Sequence, residues 1–424
     1  MADTDTLQRV QALQFTDKNQ AEHLLRTFIA DTFELDVRRV ELRPLAVSLN
    51  SFNGFLWLAN GERLFFKTHT EPDSVVGEYY NAAALAAAGY PVIQPVYAST
   101  EAGRQLLVYQ AVEWPSVFDV AWNIECGDHT QEDNLISAQQ KADEELLQIY
   151  LKTLEWQEAD AAAKAPVHQL FHHRLTGGRF ERFYGPLPGQ TRQVDQTLLL
   201  PGGPRHMREM RQAVWEINGQ RYDTTLDALV SQALLILTPK QAGPSIIGHG
   251  DAHNGNLFFD TSTQHLIYFD PAFAGRHDPF LDLAKPLFHN VFGMWMYFPL
   301  EKSRHTVVNL SVEDNKWRVK HNYAPHPIRR AFLNSKVQNV LIPLLRELKR
   351  RGWLRSDWRQ YLKAALFCCP LLTMNLADSG RFPPEISLLG LAMAVEMGGE
   401  STGQSSLIDT VLSEVQHELT LDVT

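Results

Sequence analysis

A chain of 424 residues is too long for one ordinary core, so two or more domains or lobes are expected. Hydrophobic residues at 44% and charged residues at 21% are usual for a globular protein. The 39 basic and 49 acidic side chains leave a net charge of −10, which argues against a nucleic-acid binder held by phosphate contacts.

The first residues, MADTDTLQRVQALQF, lack a basic start followed by an apolar run, so no secretory signal is expected. Leu24, Leu25, Phe28 and Ile29 recur at helical spacing behind Thr16, a candidate cap. Extended segments follow: VRRVELRPLAV, GFLWLA and RLFFKTH. The last two are joined by Asn60-Gly61, a two-residue hairpin signal. VVGEYYNAAALAAAGY reads as a helix stopping at Gly89 before Pro91, and VIQPVYAS and RQLLVYQAV read as two more strands. Residues 1–112 therefore read as an N-terminal helix and a small β-rich lobe.

From residue 113 to 424 the pattern is mainly helical, with EELLQIYLKTLEWQEADAAAK the clearest stretch. A loop-rich stretch, HHRLTGGRFERFYGPLPGQ, leads to further helices, then a strand-loop-strand unit, then helices to the end. The longest apolar runs fall short of the ~20 residues that span a bilayer. Cys126, Cys368 and Cys369 offer no disulfide framework, point to a reducing compartment and read as core residues. A soluble, cytoplasmic protein is expected.

The strand-loop-strand unit is where polar residues crowd between apolar ones. HGDAHNGN, His249 to Asn256, follows SIIG and precedes LFF, and HLIYFD ends in Asp270. Such a cluster is expensive to bury without partners or a ligand. Asp251 and Asn256 stand as D-x-x-x-x-N, the spacing of a kinase catalytic loop, where the acid takes the hydroxyl proton and the amide holds Mg²⁺. Mg²⁺ on ATP takes hard oxygen ligands, and a strand-borne acid such as Asp270 would be the second.

HGDAHNGN followed by FDPAFAGRHDPFLDLA resembles the aminoglycoside phosphotransferase and choline kinase-like family of small-molecule kinases. His249, Gly250, Asp251, His253 and Asn256 fit its H-G-D-x-H-x-x-N pattern, Asp270 its strand-end acid, and Asp282-Leu283-Ala284 its D-L-A. The resemblance implies an α+β, bilobal protein kinase-like fold with a small β-rich N-lobe and a larger, mainly helical C-lobe. It implies Asp251 as catalytic base, with Asn256 and Asp270 as magnesium ligands and ATP as co-substrate. His249 is a candidate for bracing the loop or for a direct catalytic part, and Asp282 for bracing it.

The small lobe supplies the other expected parts. Lys67 sits on a strand where a phosphate-contacting lysine belongs, and Glu78 opens the next helix as its partner. Ser51, Asn53 and Gly54 occupy the place of the phosphate-covering loop, and adenine would meet the backbone near Gln110 to Val112. The expected reaction is transfer of the γ-phosphate of ATP to a hydroxyl of a sugar, amino sugar, amino alcohol or antibiotic. The expected partners are that acceptor alone, without nucleic acid or membrane, in a monomer or homodimer. Two rivals remain open: a metal-dependent phosphoesterase using His249, Asp251 and His253, and a kinase-like binding protein without turnover.

Overall fold

Alternating apolar residues decide the first sheet. Leu64, Phe66 and Thr68 are buried on one face of a strand, while Phe65 and Lys67 stand on the other. The computed structural model describes residues 3–14, 16–43, 51–69, 72–101, 103–190 and 196–421, without the side chains of 3–5, 51–52, 69 and 72–79. The chain divides into two compact units: Met1–Pro115 with Ile267–Phe273, and Ser116–Leu266 with Ala274–Thr424.

In the first unit, helices α1 (Asp3–Leu13) and α2 (Lys18–Phe33) precede strands β1 (Val37–Leu42), β2 (Ser51–Leu58) and β3 (Arg63–His69). Helix α3 (Pro72–Ala88) and strands β4 (Pro95–Ser99) and β5 (Leu106–Gln110) complete it. The sheet runs β1-β2-β3-β5-β4, every neighbour antiparallel. Leu25 and Ile29 of α2 pack with Leu56, Leu64, Phe66 and Val108 of the sheet in one apolar cluster. The cap of α2 is Asp17 rather than Thr16: its carboxylate accepts the Gln20 amide. The β2–β3 connection is four residues, Ala59 to Glu62, because Leu58 N–H bonds the Glu62 carbonyl and Gly61 N–H the Leu58 carbonyl.

In the second unit, the helix Glu132–Thr153 ends earlier than its sequence suggests. Glu155–Gln157 leaves it to pair antiparallel with Gly243–Gly248, so tertiary pairing overrides helix propensity there. Gly243–Gly248 also pairs with Gly275–His277, which makes a three-stranded sheet. A second sheet of five strands, built from Val214–Ile217, Gln220–Tyr222, Val308–Glu313, Lys316–His321 and Thr402–Gly403, lies where only helices and loops were expected. Trp215 and Trp317 sit opposite each other in its parallel pair, ring centroids 5.3 Å apart. The helical core centres on Trp358–Thr373, packed between Pro279–His289 and Pro384–Gly398. Cys368 and Cys369 are buried in it, but Cys126 is exposed, capping the C-terminus of Val117–Glu125. Among the described residues no helix is long and apolar enough to cross a membrane.

Candidate active site

The first unit holds the expected phosphate-side residues on two adjacent strands. Lys67 of β3 lies opposite Asn53 of β2, and its ammonium is 2.7 Å from Asp270 Oδ1. Asp270 takes the left-handed backbone conformation, φ +54°, which is uncommon outside glycine although tolerated by aspartate. Hydrogen bonds hold its segment to the unit: Tyr268 N–H bonds the Pro91 carbonyl, Ile93 N–H the Tyr268 carbonyl, and Asn81 donates to the Pro271 carbonyl at 3.0 Å. The partner expected for Lys67, Glu78, lies in the second turn of α3, and its side chain is outside the described residues. So is that of Ser51. Ser51, Asn53 and Gly54 belong to strand β2, not to a loop, and residues 44–50 before them are outside the described residues. A Cβ at Gly54 would run into the Glu41 carbonyl on β1, so only glycine fits there. Gln110 ends β5 and Val112 follows in extended chain.

The second unit holds the loop. Strand Gly243–Gly248 delivers His249, which is fully buried, and the Asp251 amide donates to its Nδ1 at 3.4 Å. Gly250 has φ +79° and donates its amide to Asp282. Asp282 also accepts from the Tyr150 hydroxyl and from His277 Nε2 at 3.0 Å. Three donors hold that buried carboxylate below its ordinary range, although burial alone would raise it. The Asn256 amide group donates to the Asp251 carbonyl at 2.9 Å, which turns its oxygen away. His253 Nδ1 accepts the Gly255 amide at 3.0 Å, and its Nε2 is 3.9 Å from Asp251 Oδ1.

Asp251 itself is set apart from this bracing. Its Oδ1 is buried and takes no hydrogen bond; the Lys285 ammonium lies 3.4 Å away. Burial pushes the carboxyl up, but Lys285, then His253, His249 and Arg174, more than offset it, so it stays below the ordinary carboxylate value. The result is an ionised, hydrogen-bond-poor oxygen. It can accept a proton from an incoming hydroxyl.

Sequence reasoning missed Lys285, His289 and Tyr297 around it. Lys285 and His289 stand four residues apart on Pro279–His289, a helix buried along its whole length. Lys285 donates to His289 Nε2 at 3.3 Å, so the neutral ring carries its proton on Nδ1 and donates to the Tyr297 oxygen at 2.8 Å. Burial, with Lys285, His253 and Arg174 nearby, holds His289 well below its ordinary value. A lysine and a histidine within PFLDLAKPLFH, otherwise apolar after Asp282, were the available signal. From HHRLTGGRFERFYG, Arg174 is the residue whose charge acts on Asp251, and its Nη1 is buried without a hydrogen-bond partner. The aromatics of that stretch serve the core: Phe180 and Tyr184 are fully buried, and Tyr184 bonds the Leu371 carbonyl. Arg179 bonds the Leu372 carbonyl at 3.2 Å.

The model of a phosphotransferase enzyme family matches residues 42–298, well over half of the chain. The chain belongs to that family. It is a small-molecule kinase, with an alcohol group as acceptor, and its fold is α+β. No curated protein matches the sequence. Solved structures similar to it include the amicoumacin kinase hAmiN in complex with AMP-PNP, Ca²⁺ and Ami, at 14% identity over 85% of this chain and 87% of that one, TM-score 0.45. Another is a thermostable mutant of the aminoglycoside phosphotransferase APH(4)-Ia with ADP and hygromycin B, at 10% identity over 88% and 98%, TM-score 0.46. The macrolide 2'-phosphotransferase MphH from Brachybacterium faecium matches at 11% over 88% and 98%, TM-score 0.40.

Proposed function

We propose that the protein transfers the γ-phosphoryl group of ATP to a hydroxyl of a small neutral or anionic molecule, with Asp251 as the base. The observation that carries the reading is the Asp251 Oδ1, ionised and without a hydrogen bond, while His249, Gly250, His253 and Asn256 around it are hydrogen-bonded. Such a carboxylate orients the attacking hydroxyl and takes its proton as the bond to phosphorus forms. His249, which accepts the Asp251 amide, is a positioning residue in this reading.

The donor set suits Mg²⁺. Asn256 turns an amide oxygen away from the loop and Asp270 offers a carboxylate, both hard oxygen ligands. Mg²⁺ held by them would neutralise charge on the transferring phosphoryl group. Lys67, paired with Asp270, would bind the nucleotide phosphates beside Asn53 and Gly54, with Ser51 and Glu78 completing that side and Gln110 to Val112 meeting the base. The phosphoesterase reading lacks a ligand set: among the described residues no three His, Cys, Asp or Glu side chains could hold a metal ion.

The charge around Asp251 selects the acceptor. Lys285 and Arg174 bring two cations against one carboxylate, and the buried Arg174 Nη1 has no hydrogen-bond partner. A carboxylate or phosphate on the acceptor would meet that guanidinium, whereas a polycation would be repelled. The test is ATP consumption against a panel of hydroxylated acids, sugars and aminoglycosides, in the natural chain and in Asp251→Asn. The variant keeps shape and loses the proton acceptor, so turnover should fall ~10²–10⁴-fold. Unchanged turnover in a folded Asp251→Asn protein would refute the assignment.

A further inference from the structure

A cavity of about 300 Å³ lies in the second unit away from Asp251, and nothing above uses it. Its wall includes His168, His277, Asp278, Trp156, Trp353 and Tyr361. That volume is at the small end of ligand sites, which run from roughly 300 to 1,000 Å³.

Two histidine nitrogens on this wall have no hydrogen-bond partner. His168 Nε2 bonds the Ala162 carbonyl at 2.9 Å, so that nitrogen carries the proton. Burial holds the His168 ring down to about 4, so it is neutral and its Nδ1 is an acceptor. His277 is fully buried and donates from Nε2 to Asp282. Both Nδ1 atoms are buried and neither has a hydrogen-bond partner. Leaving a buried acceptor unserved costs ~1–3 kcal/mol, so the His168 Nδ1 favours an occupant that donates.

The charge on the wall points the same way. Asp278 uses one carboxylate oxygen to cap its helix, accepting the Phe280 amide at 2.8 Å, and burial raises it to about 6, leaving it largely ionised at neutral pH. Arg355 also lines the wall and draws Asp278 down; its guanidinium bonds Asp357 at 2.6 and 3.0 Å and stacks over Tyr361 at 3.8 Å. Arg355 faces two acids, Asp278 and Asp357, so one negative charge is left over. Trp156 and Trp353, centroids 5.9 Å apart, add aromatic faces that suit a cation; Arg351 already lies 5.1 Å from the Trp353 ring centre, and Trp156 supplies the second face.

We infer that this cavity is a second small-molecule site, which takes an organic ammonium ion on a small apolar frame. The site can report to the catalytic loop. The occupant would lie against the His277 ring, whose Nε2 holds Asp282, and Asp282 holds the Gly250 amide beside Asp251.

The probe is 2-phenylethylammonium, titrated calorimetrically into the full chain, with 2-phenylethanol and phenylacetate as isosteric neutral and anionic controls. The ammonium should bind one site at least tenfold more tightly than the alcohol, and phenylacetate should not bind. Asp278→Asn retains a good helix cap while removing the charge, so it should abolish the tenfold preference. Trp353→Ala, which leaves that cap intact, should weaken the ammonium as well. Hydrogen exchange on binding should slow in residues 238–244 and 352–355, and in 248–252 through His277 and Asp282. Equal affinity for ammonium and alcohol, an undiminished preference in Asp278→Asn, or protection elsewhere in the chain overturns the inference. None of these readouts depends on phosphotransfer, so the site and the assignment of Asp251 stand or fall separately.

Discussion

Removing Lys285 should move the acid limb of the reaction. Its ammonium is 3.4 Å from Asp251 Oδ1, and both groups are largely shielded from solvent. At an effective dielectric constant of 20, a unit pair at that distance attracts by about 5 kcal/mol. One pKa unit is about 1.4 kcal/mol, so the ceiling on the change at Asp251 is about three and a half units. Burial is the largest influence on this carboxyl and acts upward; in Lys285→Met it would be opposed only by His253, His249 and Arg174. The base would then protonate at a higher pH, and turnover would be lost from the acid side. The assay is the pH profile of kcat/KM with the best acceptor, beside a ¹³C titration of the Asp251 carboxyl that needs no acceptor at all. An upward shift of about one to three units is expected in both. Lys285→Arg keeps the charge and should restore most of the profile, which a purely structural role would not predict. An acid limb that stays in place in folded Lys285→Met would refute the argument.

Asn256→Ala and Asp270→Ala should each remove the Mg²⁺-dependent part of the thermal stabilisation by ATP, since a ligand stabilises through the folded state; a full Mg·ATP shift in either variant counts against the metal assignment. Arg174→Leu should raise the acceptor KM at least ~10-fold, the loss of a charged hydrogen bond, and leave the KM for ATP unchanged. Glu396 is buried and raised to about 7 by burial and by Asp409. An acid raised on folding makes the folded state bind the extra proton, so its contribution is most favourable below about 4.5 and declines as pH rises through 7, by at most about 3 kcal/mol. Chemical denaturation from pH 5 to 8 should show that decline in the natural chain and a flatter curve in Glu396→Gln; parallel curves would contradict it.

The family, the fold class and the first sheet were legible in the residues. Polar clusters between apolar strands are rare enough to read, and D-x-x-x-x-N with a later strand-end acid carries its chemistry in its spacing. Hairpin chemistry misled at one place and was overlooked at another. Asn60-Gly61 sits in a four-residue connection, whereas Asn218 and Gly219, both at positive φ, form the two-residue turn between Ile217 and Gln220. The five-stranded sheet containing that turn was unreadable as a sheet. Its strands come from residues 214–222, 308–321 and 402–403, and pairing across such separations leaves no local periodicity.

By itself the sequence determined the loop from His249 to Asn256, because the spacing of those side chains along the chain is covalent. Only the tertiary structure decided what surrounds Asp251. Lys285, His289 and Tyr297 come from helices whose sequences are dominated by apolar packing residues, and Arg174 from the short polar helix His172–Thr176. What makes them matter is distance in space and exclusion of water, and neither is written in local order. A lysine on a solvated face would be unremarkable. The same lysine, buried 3.4 Å from an ionised carboxylate, decides at what pH that carboxylate can act as a base.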